Sequence, residues 1–222
     1  MKTPIFIPAF VLFLAPLARA ETTLASFNGA VPNTPGWQIV GGVPLNVIED
    51  EGRKAIEFKD DSDTDSVALV YRLTEEEAIE MVSRGCTFEA RIRHISNGPS
   101  GTNFRLLMRI PGYGSAQIST YHDANNDSVR LNIYDSVKGE NIGLALPGNG
   151  RVYVTVSGVF RPGATFEGPG SLEIFIDGKS TATIGLGRGS SPRAQIEIGG
   201  IGGSAVARTS HNLITDFRLT TP

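Results

Sequence analysis

Beyond the first twenty residues, apolar and polar side chains alternate over short runs, the period of a strand with one buried face. The runs are Leu24–Phe27, Trp37–Val40, Asn46–Glu49, Ala55–Lys59, Val67–Leu73, Thr87–Ile95 and Asn103–Ile110, then Ala116–His122, Ser128–Tyr134, Val152–Phe160, Ser171–Ile176, Thr181–Ile184, Ala194–Ile198 and Leu213–Thr220. Turn residues separate them. Asp177-Gly178 closes a hairpin after Ser171–Ile176, as a type I′ turn would. Asn125-Asn126-Asp127 and Pro147-Gly148-Asn149-Gly150 mark further turns.

One segment departs from the period of two. Thr74-Glu75-Glu76-Glu77 has capping-box spacing, in which Thr74 caps the Glu77 amide and Glu77 reaches back. Three acidic residues in the first turn suit the helix dipole. Ala78, Ile79 and Val82 form an apolar stripe, and Gly85 follows as a stop. The spacing predicts one short helix over Glu75–Arg84. Many short strands and one helix predict an all-β fold, a two-sheet antiparallel jelly-roll sandwich, in a single domain over residues 21–222.

The first twenty residues read differently. Lys2 supplies a positive start, Ile5 to Leu17 is nearly all apolar, and Ala18-Arg19-Ala20 has the small-x-small form of a cleavage site. This pattern predicts a signal peptide over residues 1–20, too short for a membrane span, and a secreted or periplasmic protein. No other run approaches membrane length. Lys and Arg together number 20 against 23 Asp and Glu, so no basic excess points to a nucleic-acid partner. The single cysteine, Cys86, excludes a disulfide framework within the chain and predicts a buried free thiol.

Composition adds one asymmetry. In the strands from Thr87 to Val156, alternation places Arg91, Arg93, Arg105, Arg109 and Arg130 on polar positions, with Tyr121, Tyr134 and Tyr153. Only Glu89 among those polar positions is acidic, although the chain as a whole is acidic. If consecutive strands pair, these residues share one face. Guanidinium groups offer a planar fork to carboxylates, and tyrosine rings offer flat surfaces to a sugar. An ordinary solvated outer face is the competing reading. The expected ligand is a glycan, an acidic one. Arg91, Arg105, Arg109 and Arg130 would take its carboxylate, Tyr121 and Tyr134 would pack on the ring, and Gln117 and Asn132 would orient hydroxyls.

Several motifs carry a family resemblance. Ser171-Leu-Glu-Ile-Phe-Ile-Asp177-Gly178-Lys179, Gln195-Ile-Glu-Ile-Gly199-Gly200 and Ile214-Thr-Asp-Phe217-Arg-Leu219 resemble the later strands of concanavalin A-like and laminin G-like jelly rolls. Gly36-Trp37-Gln-Ile-Val-Gly-Gly42 and Tyr71-Arg-Leu-Thr-Glu-Glu-Glu77 resemble lectin-type domains that accompany bacterial sialidases. The resemblance covers nearly all of residues 21–222. It implies a concave sheet that binds glycans, with arginines on the sugar carboxylate.

Enzymatic alternatives are weaker in motif. No Ser-x-Asp-x-Gly-x-x-Trp box precedes Trp37, the only tryptophan, so a sialidase catalytic domain is not expected. The nearest approach to a glucanase carboxylate pair is Glu173 with Asp177, at the wrong spacing. Arg105–Arg109 followed by Gln117-Ile-Ser119 resembles the Arg and Gln-Ile-His strands of alginate lyases. Ser119 stands where the histidine belongs, and His122 falls on the opposite face. A polysaccharide lyase acting on an acidic polysaccharide is therefore the enzyme alternative, with Tyr121 or Tyr134 as base. A structural or adhesive jelly roll with a protein partner is the third reading. For metals, Asp61, Asp63 and Asp65 group hard oxygen donors of the kind calcium takes, without EF-hand spacing. The resemblance implies a structural calcium there; a solvated acidic loop is the competing reading, because the ligand set is incomplete. Asp123 and Asp127 form a second group.

Overall fold

A computed structural model describes residues 20–60, 67–95, 101–165, 167–189, 194–200 and 210–222. The strands are β1 (Thr22–Asn28), β2 (Trp37–Gly41), β3 (Asn46–Asp50), β4 (Arg53–Asp60), β5 (Val67–Arg72), β6 (Cys86–His94), β7 (Gly101–Ile110) and β8 (Gly114–Asp123). They continue with β9 (Ser128–Asp135), β10 (Glu140–Ala145), β11 (Val154–Arg161), β12 (Gly170–Ile176), β13 (Lys179–Leu186), β14 (Gln195–Gly200) and β15 (Ser210–Thr221). The α-helix α1 spans Glu75–Arg84, between β5 and β6.

The strands make two antiparallel sheets. Sheet I runs β13-β12-β11-β6-β15-β4-β3, and β1 also pairs with β15. Sheet II runs β10-β9-β8-β7-β14-β5-β2. Alternation explains why these strands pack face to face: β6 buries Phe88, Ala90 and Ile92, and β7 buries Phe104, Leu106, Met108 and Ile110. Phe58 of sheet I meets Phe104 of sheet II edge-on, with ring centroids 5.4 Å apart. Both sheets feed the same hydrophobic core. Burying each such phenylalanine contributes about 1.5–3 kcal/mol.

The helix forms where its spacing predicts. Thr74 Oγ1 accepts from the Glu77 amide at 3.3 Å, and the Glu77 carboxylate accepts from the Thr74 amide at 2.8 Å. Gly85 ends the helix at φ +83°, and a Cβ there would lie 2.3 Å from the Phe160 carbonyl oxygen. The buried face differs from the expected stripe. Met81 is the fully buried residue, while Ile79 stays 59% exposed. The helix touches β15 of sheet I and β7 of sheet II and so bridges the sheets. Glu77 also accepts from the Tyr71 hydroxyl at 3.0 Å, tying the cap to β5. Burial, aided by Glu77, pushes the Tyr71 phenol up to about 12. Thr74→Ala removes half of the capping box and is expected to lower unfolding free energy by about 1 kcal/mol, read as a shifted urea midpoint at unchanged slope.

Cys86 is buried, with its thiol 3.7 Å from Met108 Sδ. Burial pushes that thiol up to about 12, which leaves it inert as a nucleophile.

One strand escaped the sequence reading. β10 pairs with β9 alone, at the edge of sheet II, and buries little. Ile142 and Leu144 alternate there, but Gly143 between them lowers the strand propensity of the run.

Candidate functional site

The arginines expected on one face lie on two. The chain crosses from sheet I to sheet II between β6 and β7, so Arg91 and Arg93 sit on the outer side of sheet I. Arg105, Arg109 and Arg130 sit on the outer side of sheet II. Pairing of β6 with β11 and β15, rather than with β7, is the reason. Seven of the eight residues expected to bind ligand therefore share a face, and Arg91 does not.

On sheet I, Arg91 and Arg93 both lie against the Tyr153 ring, at 5.5 and 5.8 Å from its centroid. Arg93 is neutralised by Asp50 at 2.7 Å and Glu51 at 2.8 Å. Burial and the adjacent Asp50 carboxylate push the Tyr153 phenol up. That tyrosine is a packing surface for two guanidiniums rather than a titrating group.

On sheet II the strand register sets out a grid. Arg105 stands across from Ser119, Ser119 from Asn132, and Asn132 from Gly143. Beside that row, Leu107 stands across from Gln117, and Tyr134 follows the Ile118–Ile133 pair on β9. On the other side, Tyr121 stands across from Arg130. The Arg130 guanidinium lies 4.8 Å from the Tyr121 ring centroid. Its stem passes over Gly143, where a Cβ would come within 3.4 Å of Arg130 Cδ. The glycine that weakened the strand signal thus leaves a shallow place beside Asn132.

The charges on this face are unequal in availability. Arg105 is tied to Glu197 on β14. Arg109 and Arg130 have no ion pair among the described residues. Gln117, Asn132 and the Tyr121 and Tyr134 hydroxyls have no side-chain hydrogen bond there either, and Tyr134 is 46% exposed. Arg130, with Tyr121, Asn132 and Tyr134 beside it, can bind a carboxylate-bearing, hydroxyl-rich ligand, and Arg109, level with Ser115 and roughly 20 Å away, can meet only a further unit of a longer chain.

The other groups weighed for catalysis sit in structural contacts, whereas among the described residues the Tyr121 and Tyr134 hydroxyls do not. Ser119 is buried, and its hydroxyl donates to the Asn132 carbonyl at 3.3 Å. His122 points into the sandwich, as alternation predicted, and stacks on His94 with centroids 5.7 Å apart. Glu173 accepts from Arg161 and Ser180, both at 2.9 Å, and these contacts hold its carboxyl below the usual range. Asp177 has φ +48° in the hairpin turn and accepts from the Thr155 amide at 2.9 Å.

Asp61, Asp63 and Asp65, the donors expected for calcium, lie outside the described residues. In the second acidic group, Asp127 accepts from Arg151 at 2.6 Å. Arg151, with His122, holds its carboxyl low. Asp123 accepts from the Asn125 amide and the Asn126 side chain. These two aspartates serve the β8–β9 turn, and among the described residues no cluster of metal-binding side chains is present.

The sequence reading missed Asp135, the last residue of β9. It is 1% exposed and accepts from the amides of Val137, Lys138 and Gly185 at 3.0, 3.0 and 3.1 Å. Gly185 belongs to β13 of sheet I, so this carboxylate ties the sheets together next to Tyr134. Burial opposes ionisation, but those three amides and Lys138 outweigh it and hold the carboxyl below the usual range. An aspartate closing a strand before Ser-Val-Lys-Gly reads as an ordinary turn residue, which is why it gave no signal.

Three clefts among the described residues lie away from the sheet II grid. A groove of about 770 Å³ runs beside α1, walled by Ala78, Ile79, Val82, Pro111 and Ala194. Two polar clefts of about 430 and 340 Å³ lie on sheet I. The grid is an open platform.

No family model matches the chain, and no curated protein matches it. Likeness to solved structures is found in the fold. A carbohydrate esterase from the Shiga toxin-encoding bacteriophage phi24B is similar with TM-score 0.63 and 17% identity, over 91% of this chain and 99% of the esterase. A structure of botulinum neurotoxin type C, a toxin that enters cells in dependence on interaction with two ganglioside molecules, gives TM-score 0.56 and 12% identity over 89% of this chain. The binding domain of botulinum neurotoxin DC in complex with SialylT gives TM-score 0.54 and 12% identity over 89% of this chain. This chain spans 47% of each toxin chain. The shared feature is a jelly-roll-like sandwich of two antiparallel sheets. No helix among the described residues is long and apolar enough to cross a membrane.

Proposed function

We propose that this protein is an exported, lectin-like module that binds acidic glycans without cleaving them. The observation that carries the reading is the outer face of sheet II. Arg109 and Arg130 have no acidic partner among the described residues; Arg130 stands with Tyr121, Asn132 and Tyr134 beside Gly143, while Arg109 lies across from Ser115, six positions from Tyr121 along β8 and on its other side. Arg105 completes the positive edge but is partly spent on Glu197. Fold likeness to carbohydrate-acting and glycan-binding proteins supports the class without supplying the site. The finer resemblance to concanavalin A-like and sialidase-associated lectin domains belongs to this proposal. So does a calcium ion at Asp61, Asp63 and Asp65, which rests on donor chemistry alone.

The structural contacts of Ser119 and Glu173 and the inward position of His122 support a non-catalytic role. The remaining candidate base is a tyrosine. The test is a glycan array with calcium and then with chelator, beside an absorbance assay for unsaturated uronate. Saturable binding to carboxylated glycans with flat absorbance is the expected result, with Tyr121→Phe keeping most of the affinity because its ring still supports Arg130. Loss on chelation would implicate the aspartate loop. Rising absorbance that Tyr121→Phe or Tyr134→Phe abolishes would make the protein a lyase. Silence in both assays would reject the glycan reading in favour of a protein partner.

A further inference from the structure

We infer that sheet I carries a second site for an anionic oligosaccharide, on the side of the sandwich opposite the sheet II platform. The inference rests on the carbohydrate reading above and adds a separate location to it. Its origin is a change of partner along β15. The first half of β15 pairs with β4, ending at Ile214–Ile56, and the second half pairs with β1, beginning at Asp216–Asn28. Between them β15 carries a bulge at Thr215, where its register against β6 also shifts. Bulges of this kind bend a strand and re-aim the next side chain.

The chain leaving β1 comes up against the start of β4 at this point: a Cβ on Gly29 would lie 2.4 Å from the Lys54 carbonyl oxygen. Two clefts lie here, of about 430 and 340 Å³, and they share Asn28 and Asp216. Glu89 and Arg91 line one, and Arg53 and Lys54 line the other. Together they reach across β11, β6, β15 and the β1–β4 edge, three inter-strand steps or about 14 Å. That length suits a short oligosaccharide better than a single sugar.

The charges inside are not satisfied by one another. Arg91 stands directly across from Asp216 in the register, yet the two form no ion pair. Asp216 instead accepts from the Thr215 hydroxyl at 2.7 Å. Arg91 Nε is buried with no hydrogen-bond partner. Arg53 and Lys54 have no ion pair among the described residues. Three unpaired cations against two carboxylates leave the cleft attractive to anions, while Asn28, Glu89 and Asp216 offer acceptors and amide donors to hydroxyls.

Calorimetric titration of the full chain with tri-galacturonate, and with neutral maltotriose as control, tests this. The expected stoichiometry is two tri-galacturonates per chain. Arg53→Ala/Lys54→Ala, on exposed positions, and Arg91→Gln should each weaken one site about tenfold or more and spare the other. Arg109→Ala/Arg130→Ala should do the converse. One site that responds only to Arg109 and Arg130 would overturn the second site and leave the platform standing. One site that responds only to Arg53, Lys54 and Arg91 would move the glycan reading wholly to sheet I. No heat from tri-galacturonate with any form would overturn both.

Discussion

Asp135→Ala should cost about 2–4 kcal/mol of unfolding free energy, the largest loss expected from any polar position here. The carboxylate accepts from three backbone amides in two segments, and one of them belongs to the other sheet. Removing it strands those amides, and water can replace only those near the surface. It also removes the side-chain tie between β9 and β13. Asp135→Asn keeps one accepting oxygen and should lose less.

The pH dependence has a definite sign. The folded-state carboxyl lies below its ordinary value of about 4. Its ionisation therefore contributes stability that is fully present above that value and lost as pH falls through the lowered folded value. Urea midpoints of wild type and Asp135→Asn should accordingly converge as pH falls and stay apart at neutrality. A gap that is constant with pH would mean that shape, not charge, is what this residue supplies. Tyr134 is the adjacent residue on the platform, so a loosened β9 end should also weaken glycan binding without touching Arg109.

How much of this was legible is instructive at particular residues. Helix α1 was readable to its ends because Thr74, Glu77 and Gly85 signal locally. Strand faces were readable because alternation fixes which residues are buried together; Phe88, Ala90 and Ile92 turn inward as read. Sheet membership was not readable. Arg91 and Arg105 show the same alternation, but nothing within β6 or β7 says that the chain changes sheets between them. That choice is made by β11 and β15, about 60 and 120 residues further along, whose apolar faces compete for β6. Leu107 shows a related limit: it alternates onto the outer face yet is only 4% exposed, set between Glu197 and Gln117 on the neighbouring strands. The Thr215 bulge and the β4-to-β1 exchange leave no local signal either, so the sheet I clefts had no precursor in the sequence reading.

On the platform, Arg109→Ala/Arg130→Ala should weaken binding of a carboxylated glycan about a hundredfold or more and leave stability nearly unchanged. Each charge-assisted hydrogen bond contributes about 1.5–3 kcal/mol, and neither guanidinium is spent on a protein carboxylate. Arg130 is also pre-positioned by the Tyr121 ring and the open space over Gly143, so little side-chain freedom is lost on binding. Arg130→Lys keeps the charge but loses the planar fork, and it should recover only part of the affinity. Arg105→Ala should behave differently. It releases Glu197, a carboxylate whose side chain is only 12% exposed, and so should lower both stability and acid binding. Rising salt should weaken wild-type binding and have less effect on the double variant, because the exposed charges that salt screens are then gone. Tyr134→Ala separates ring packing from charge: it should weaken neutral and acidic sugars alike, whereas the arginine pair should affect only the acidic ones. Equal losses for neutral and acidic ligands in the arginine variant would mean that the face recognises sugar shape and that its positive charge is incidental.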